Sequence, residues 1–273
     1  MRLGISVRTM GPQSTRETLE ACARAAEAAG LDELFVPDHI AIPPDDAEGS
    51  GGRYLDPLTA LAWLAARTER IGLGTAVLIL PYRPPLPTAK AIATIQELSG
   101  GRLTTLGVGV GWMAPEFRAL GVELKRRAAV TDDTLEFLVR AFANDVVERN
   151  GQPFLFLPRP ARPAILVGGA PPHALARATR FGDGWMPIGA KPADLAPHVT
   201  RLRELFAAAG KPAPEVTVMT RLPLHDPARA ADVARAYVEV GATRLIHSNR
   251  YADAAEFARE CSAFAGRIRP ALA

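Results

Sequence analysis

Cysteine is scarce. The 273-residue chain has two, Cys22 and Cys261, too few for a disulfide framework and far apart in sequence. Both fall in helix-like stretches, the first and the last, so two free buried thiols are expected. Lysine is scarce as well: of 32 basic residues only Lys90, Lys125, Lys191 and Lys211 are Lys. The rest are Arg, spread along the chain, and the net charge is only +3. The longest basic block is Lys125-Arg126-Arg127. No aromatic residues interleave with it, so a nucleic-acid partner is not expected. Long apolar runs are missing too. The longest, Ile71 to Leu80, contains two Gly and a Thr, so no membrane span is expected. The opening Met1–Arg8 reads as a strand without room for a signal-peptide core, which points to a cytoplasmic protein. There is no G-x-S-x-G, Walker A or C-x-x-C motif. Serine hydrolase, nucleotide kinase and zinc readings fall away with them.

What the chain has instead is repetition. A short apolar run, a loop, an Ala-rich amphipathic stretch and a Gly recur along its length. The first run, Leu3–Val7, leads to a helix opening at the capping box Ser14-Thr15-Arg16-Glu17 and closing at Gly30. Leu34–Val36 follows and ends in Asp38-His39. After a long Pro-, Gly- and Asp-rich loop, Ile40 to Tyr54, which reads as mobile, Asp56-Pro57 opens the next helix. Further runs are Ile71–Leu80, Leu103–Val110, Ala164–Val167, Trp185–Ile188, Val216–Met219 and Arg244–His247. Asn150-Gly151 marks a hairpin outside this alternation. Eight strand–helix units without a linker predict a parallel sheet closed into a barrel over residues 1–273, one domain. An open doubly wound sheet is the alternative.

In a barrel the chemistry lies where strands end. Asp38-His39 is an acid–base candidate, since a carboxylate beside a His can fix its tautomer; the plainer reading is a His that caps the loop. Gly107-Val108-Gly109-Val110-Gly111-Trp112 brings backbone close to either a ligand or a neighbouring strand. It is no dinucleotide fingerprint, because Trp112 replaces the third Gly. Gly168-Gly169-Ala170 at a helix start offers backbone N–H groups to an anion, or simply makes a tight turn. His173, His198 and His225 show no metal-ligand spacing, and no metal is expected. His247 ends the eighth strand, where it could face the mouth.

Taken together, the segments Ala25–Asp32 through Asp38-His39, Arg70–Thr75 through Pro81-Tyr82-Arg83, Leu98–Arg102 through Gly107–Trp112, and Val167–Gly169 with Asp183-Gly184-Trp185 resemble the luciferase-like monooxygenase superfamily. Within it the chain is most similar to the branch using the deazaflavin coenzyme F-420. The resemblance implies a (β/α)8 TIM barrel with the ring in its C-terminal mouth, backed by a non-prolyl cis peptide that would be Ala76–Val77. It places cofactor contacts at Asp38, Gly109, Val110, Gly111, Gly168, Gly169 and Ala170, and a proton-transferring His at His39. Where the sugar-phosphate branch has a catalytic Glu, this chain has Trp112. Of that branch's phosphate-gripping Thr and Lys, which fall at Ile188 and Lys191, only the Lys is kept. A sugar phosphate is therefore not expected, and Trp112, Ile188 and His247 become substrate-side candidates for a flat, fairly apolar molecule. The implied activity is an F-420-dependent reduction of an activated C=C or C=N bond in a small molecule, by a homodimer. An FMN-dependent monooxygenase and a non-catalytic cofactor-binding barrel are the rival readings.

Overall fold

Each apolar run forms a strand, and each Ala-rich stretch a helix, in the computed structural model, which describes residues 1–272. The first half comprises β1 (Arg2–Ser6), α1 (Arg16–Ala28), β2 (Glu33–Val36), α2 (Pro57–Ala65), β3 (Gly72–Ile79), α3 (Pro85–Leu98) and β4 (Leu103–Gly109). A short helix α4 (Ala114–Ala119), the helix α5 (Arg127–Ala143) and the hairpin β5 (Val146–Arg149) and β6 (Gln152–Leu155) follow. The second half runs β7 (Ala164–Gly168), α6 (His173–Phe181), β8 (Gly184–Met186), α7 (Pro192–Ala208) and β9 (Glu215–Thr220). It ends with α8 (Pro227–Glu239), β10 (Arg244–His247) and α9 (Ala254–Ala271).

Eight strands close in the order β1-β2-β3-β4-β7-β8-β9-β10, and β1 pairs in parallel with β10 from Arg2↔Arg244 to Ile5↔His247. The closed barrel, not the open sheet, is the fold. The β5–β6 hairpin stands apart, turning on Asn150 and Gly151, both at positive φ (53° and 77°), as a two-residue primed turn requires.

Local signals set the helix starts. Asp56 and Asp226 each accept from an N–H three residues on, at 2.8 and 3.1 Å, and each precedes a Pro in the first turn. At α1 the cap is displaced by one residue. Thr15, not Ser14, accepts from Thr18 N (3.2 Å), while Ser14 donates to Gly11 O and accepts from Arg53 Nε. Two neighbouring hydroxyls could cap, and the one already used by the loop is not the one that does. That loop is anchored at its far end: Tyr54 bridges to Met10, and Leu55 N donates to Thr9 O.

Apolar residues between strands and helices form the main core. Inside the barrel, Phe35, Ala76, Leu166, Met186 and Ile246 pack as a second, smaller cluster. Toward the strand starts the interior is ionic instead. Arg244, fully buried, lies 2.6 Å from Glu33 and 3.1 Å from Glu215, and it donates to Thr217 Oγ1. Thr104 and Thr105 donate to the other oxygen of Glu33. The Ala76–Val77 peptide is cis, as the resemblance implied, and β3 there carries one residue more than β4 between the pairs Thr75↔Leu106 and Leu78↔Val108. Cys22 and Cys261 are free and buried, on packed helices α1 and α9. Among the described residues no helix is long and apolar enough to cross a membrane.

Candidate active site

His39 follows β2 at the barrel mouth. Its Nδ1 lies 2.8 Å from Glu116 Oε2, a residue of α4 that the sequence did not single out. Glu116 is wholly buried and accepts three further hydrogen bonds, from Ile40 N (2.6 Å), Ala41 N (3.0 Å) and Tyr82 Oη (2.7 Å). Burial acts to raise its carboxyl, but these four bonds outweigh it and hold the group below the usual carboxylate range. Burial and this carboxylate together push the Tyr82 phenol up. An ionised carboxylate only accepts, so Nδ1 of His39 carries the hydrogen. Nε2 is then the nitrogen left to take up or give a proton. The edges of Tyr54 and Trp112 approach the ring at centroid distances of 5.2 and 6.2 Å. Trp112 itself is 69% exposed, an aromatic plane at the rim with no role in the core.

Asp38 is committed elsewhere. Its buried carboxylate takes Arg83 twice, at 2.6 and 2.9 Å, and Ile79 N at 2.8 Å, and Arg83 reaches on to Asp56. Burial pushes the Asp38 carboxyl up while the guanidinium pulls against it. The pair fixes β2 to the end of β3, so only the backbone of Asp38 is free for a ligand.

The alternating glycines are explained by neighbouring strands. A Cβ on Gly107 would fall 2.2 Å from Thr75 O, and one on Gly109 2.7 Å from Val77 Cγ2. On Gly111, at φ +73°, it would meet Ile79 and Phe117. Gly168 faces Val77 from the other side, at 3.1 Å. Val77 is thus seated between two glycines, which leaves the Ala76–Val77 segment at the mouth. Gly169 and Ala170 are exposed before α6. Pro171 and Pro172 follow and carry no N–H, so the donors of this turn are Gly169, Ala170 and His173. Trp185 Nε1 donates to Gly169 O (2.9 Å) and steadies the turn.

Two of the cavities at the mouth adjoin these residues. One, about 400 Å³, is lined by residues of the ends of β1, β9 and β10 and by Ala76. The other, about 360 Å³, brings Ile188, which is 54% exposed, together with Gly169, Ala170 and Trp185. His247 lies in neither. It is buried on the outer face of β10, where Nε2 lies 2.8 Å from Glu260 of α9, Nδ1 accepts from Leu222 N, and the ring packs on Phe264. The expectation that it faces the mouth is corrected by strand parity: Arg244 and Ile246 point inward, so His247 points to the helices. Among the described residues no group of three or more His, Cys, Asp or Glu is arranged to hold a metal.

The chain belongs to the luciferase-like monooxygenase family, whose model matches residues 1–271. An uncharacterised protein of Mycobacterium tuberculosis is 32% identical over 266 residues, covering 84% of this chain and 94% of the relative. The F-420-dependent glucose-6-phosphate dehydrogenase of Kineococcus radiotolerans is 30% identical over 234 residues, covering 80% of this chain and 67% of that one. Among solved structures, the monooxygenase RslO1 from Streptomyces bottropensis superposes with a TM-score of 0.84 at 22% identity, both chains covered completely.

Proposed function

We propose that this chain is an F-420-dependent oxidoreductase that reduces an activated C=C or C=N bond of a small, flat substrate. The observation that carries it is the His39–Glu116 pair at the mouth, an imidazole oriented by a buried carboxylate with one nitrogen left for chemistry. The fit of the cofactor is supported by the Ala76–Val77 segment seated at the mouth between Gly109 and Gly168 and by the side-chain-poor turn Gly168-Gly169-Ala170. Val110, Gly111 and the backbone of Asp38 would border the ring, with Ala76 and Val77 behind it. The turn before α6 would take its phosphate. The similarity to an F-420-dependent dehydrogenase argues for deazaflavin over FMN.

When bound in its reduced form, the deazaflavin would supply a hydride, a pair of electrons, to one substrate atom and be left oxidised. His39 delivers the matching proton to the neighbouring atom from Nε2, and the Glu116 carboxylate stabilises the charged ring before transfer. Trp112 and Ile188 border the two sides of the mouth and offer apolar surface to the substrate. The working form we propose is a cytoplasmic homodimer.

The test is a titration of the protein with oxidised F-420 and, separately, with FMN. Tight deazaflavin binding with weak FMN binding is the expected result. The reverse preference would move the assignment to an FMN monooxygenase, and binding of neither to a barrel that has lost its cofactor. With turnover in hand, His39→Ala should lower the rate roughly 10²–10⁴-fold and leave cofactor affinity largely intact. Unchanged turnover would remove His39 from the mechanism.

A further inference from the structure

The 400 Å³ mouth cavity has positive walls and no counter-charge of its own. Arg8, Arg221 and Arg250 line it beside Ser6, Ser248 and Asn249, and no Asp or Glu does. Several arginines elsewhere in the barrel are paired with carboxylates: Arg83 with Asp38 and Asp56, Arg162 with Asp183, Arg177 with Asp132, Arg244 with Glu33. None of the three cavity arginines has a carboxylate within 4 Å among the described residues.

Arg8 is held in place without being satisfied. Its backbone N donates to Tyr251 Oη (2.9 Å) and its Nη2 to Gly49 O (3.2 Å), while its Nε is shut off from water with no partner. A buried N–H without an acceptor is a cost the fold carries for some other reason. The nearest acids, Glu256 and Glu260, line an adjoining cavity of about 510 Å³ together with Arg221 and Arg250. Both are engaged: Glu256 accepts from Ala252 N, and Glu260 lies 2.8 Å from His247 Nε2, with the Arg221 charge acting on it from beyond ion-pair distance. Below the arginines the cavity is apolar, with Val7, Met10, Pro37, Ala76 and Met219. Such a volume is at the small end of ligand pockets and suits a single-ring molecule.

We infer that this cavity binds the carboxylate of an acidic substrate, whose apolar body lies along Met10 and Met219, beside the ring position backed by Ala76 and Val77. The inference rests on the mouth being the active site, as proposed above, and adds the substrate's chemical class. Guanidinium groups recognise carboxylates through paired, charge-assisted hydrogen bonds, and three of them around one end fix its orientation. The cofactor's own acidic tail offers the same chemistry. The arginines, however, include Arg8, two residues past the end of β1, and β1 stands opposite β7 in the strand order.

The test titrates trans-cinnamate and its neutral isostere cinnamamide into the protein by calorimetry. The acid should bind about tenfold more tightly or better, the size of one charge-assisted hydrogen bond. That preference should vanish in Arg8→Gln/Arg221→Gln/Arg250→Gln. If the triple variant fails to fold, Arg221→Gln/Arg250→Gln changes only exposed side chains and should still reduce the preference. Equal affinity for acid and amide, no binding of either, or a preference that survives the substitutions overturns the inference. Oxidised F-420 titrated into the same variants separates the two carboxylate sources. Unchanged affinity supports the substrate; a loss of about tenfold or more assigns the arginines to the cofactor tail and overturns the inference. Because the cinnamate comparison needs no cofactor, a protein that ignores F-420 would sink the proposed activity and leave this result readable.

Discussion

Replacing Glu116 with Gln changes one oxygen to an amide nitrogen in a site where four donors converge. The N–H groups of Ile40 and Ala41 belong to the backbone and cannot turn away, so the amide oxygen must face them. The NH₂ group then meets His39 Nδ1 and the Tyr82 hydroxyl. Tyr82 can rotate its O–H and accept. His39 can relieve the clash of donors only by moving its proton from Nδ1 to Nε2. Each of the four bonds falls from charge-assisted to neutral, a loss of about 1 kcal/mol apiece, partly offset because a neutral amide is easier to bury. The net cost should be about 2–4 kcal/mol. Urea unfolding of the two proteins measures it, and ¹⁵N NMR of the imidazole nitrogens reads the tautomer directly. Turnover should fall as well, since Nε2 would then hold its proton without the carboxylate that stabilises the charged ring. A loss below about 0.5 kcal/mol, within the range of an ordinary surface change, together with an unchanged tautomer would refute the positioning role of Glu116.

Gly109→Ala would drive a methyl to 2.7 Å from Val77 Cγ2 and should destabilise the fold by about 1–3 kcal/mol, seen as a lower denaturation midpoint. Arg244→Met should cost about 3–5 kcal/mol by stranding Glu33, and adding Glu33→Leu should recover much of it in a double-mutant cycle. Acid should weaken the protein through Glu116 and through Asp183, where burial is outweighed by the paired Arg162 and by Ile165 N. Both carboxyls bind protons less tightly folded than unfolded. Their stabilisation is therefore full above about pH 4–4.5 and is lost as the pH falls through the depressed values. Denaturant midpoints measured from pH 7 down to pH 3 should show that fall, and Asp183→Asn should flatten it.

The barrel was legible because its signals are local. Period, capping pairs such as Asp56-Pro57 and Asp226-Pro227, and the Asn150-Gly151 turn each act within a few residues. His39 was legible as a His at a strand end. Its partner was not, because Glu116 lies 77 residues on, on a helix of only six residues with no periodicity to announce it. A lone Glu in such a segment reads as solvated until the fold closes over it. The misplacement of His247 has a different origin. A parallel barrel strand is apolar on both faces, so Arg244-Leu245-Ile246-His247 does not reveal which residues point inward. The parity is decided by Arg244, whose charge is buried against Glu33 and Glu215 inside the barrel. The glycine run left ligand and strand open as causes, and only the pairing of β3 with β4 could decide between them.

The seam between β1 and β10 sets a schedule for synthesis. Strand β1 finds β2 within about thirty residues of chain, yet its second edge is matched by Arg244–His247. At ribosomal rates of about 5–20 residues per second, roughly 10–40 s pass between the two. Throughout that interval the nascent chain is an open, curling sheet with an apolar strand at its margin, the kind of edge that recruits other chains. Tyr251, emerging just after β10, then ties itself to Arg8 N and closes the ring. Ribosome pausing before residue 244 should therefore expose this protein to aggregation and to holdase chaperones far more than pausing after residue 251.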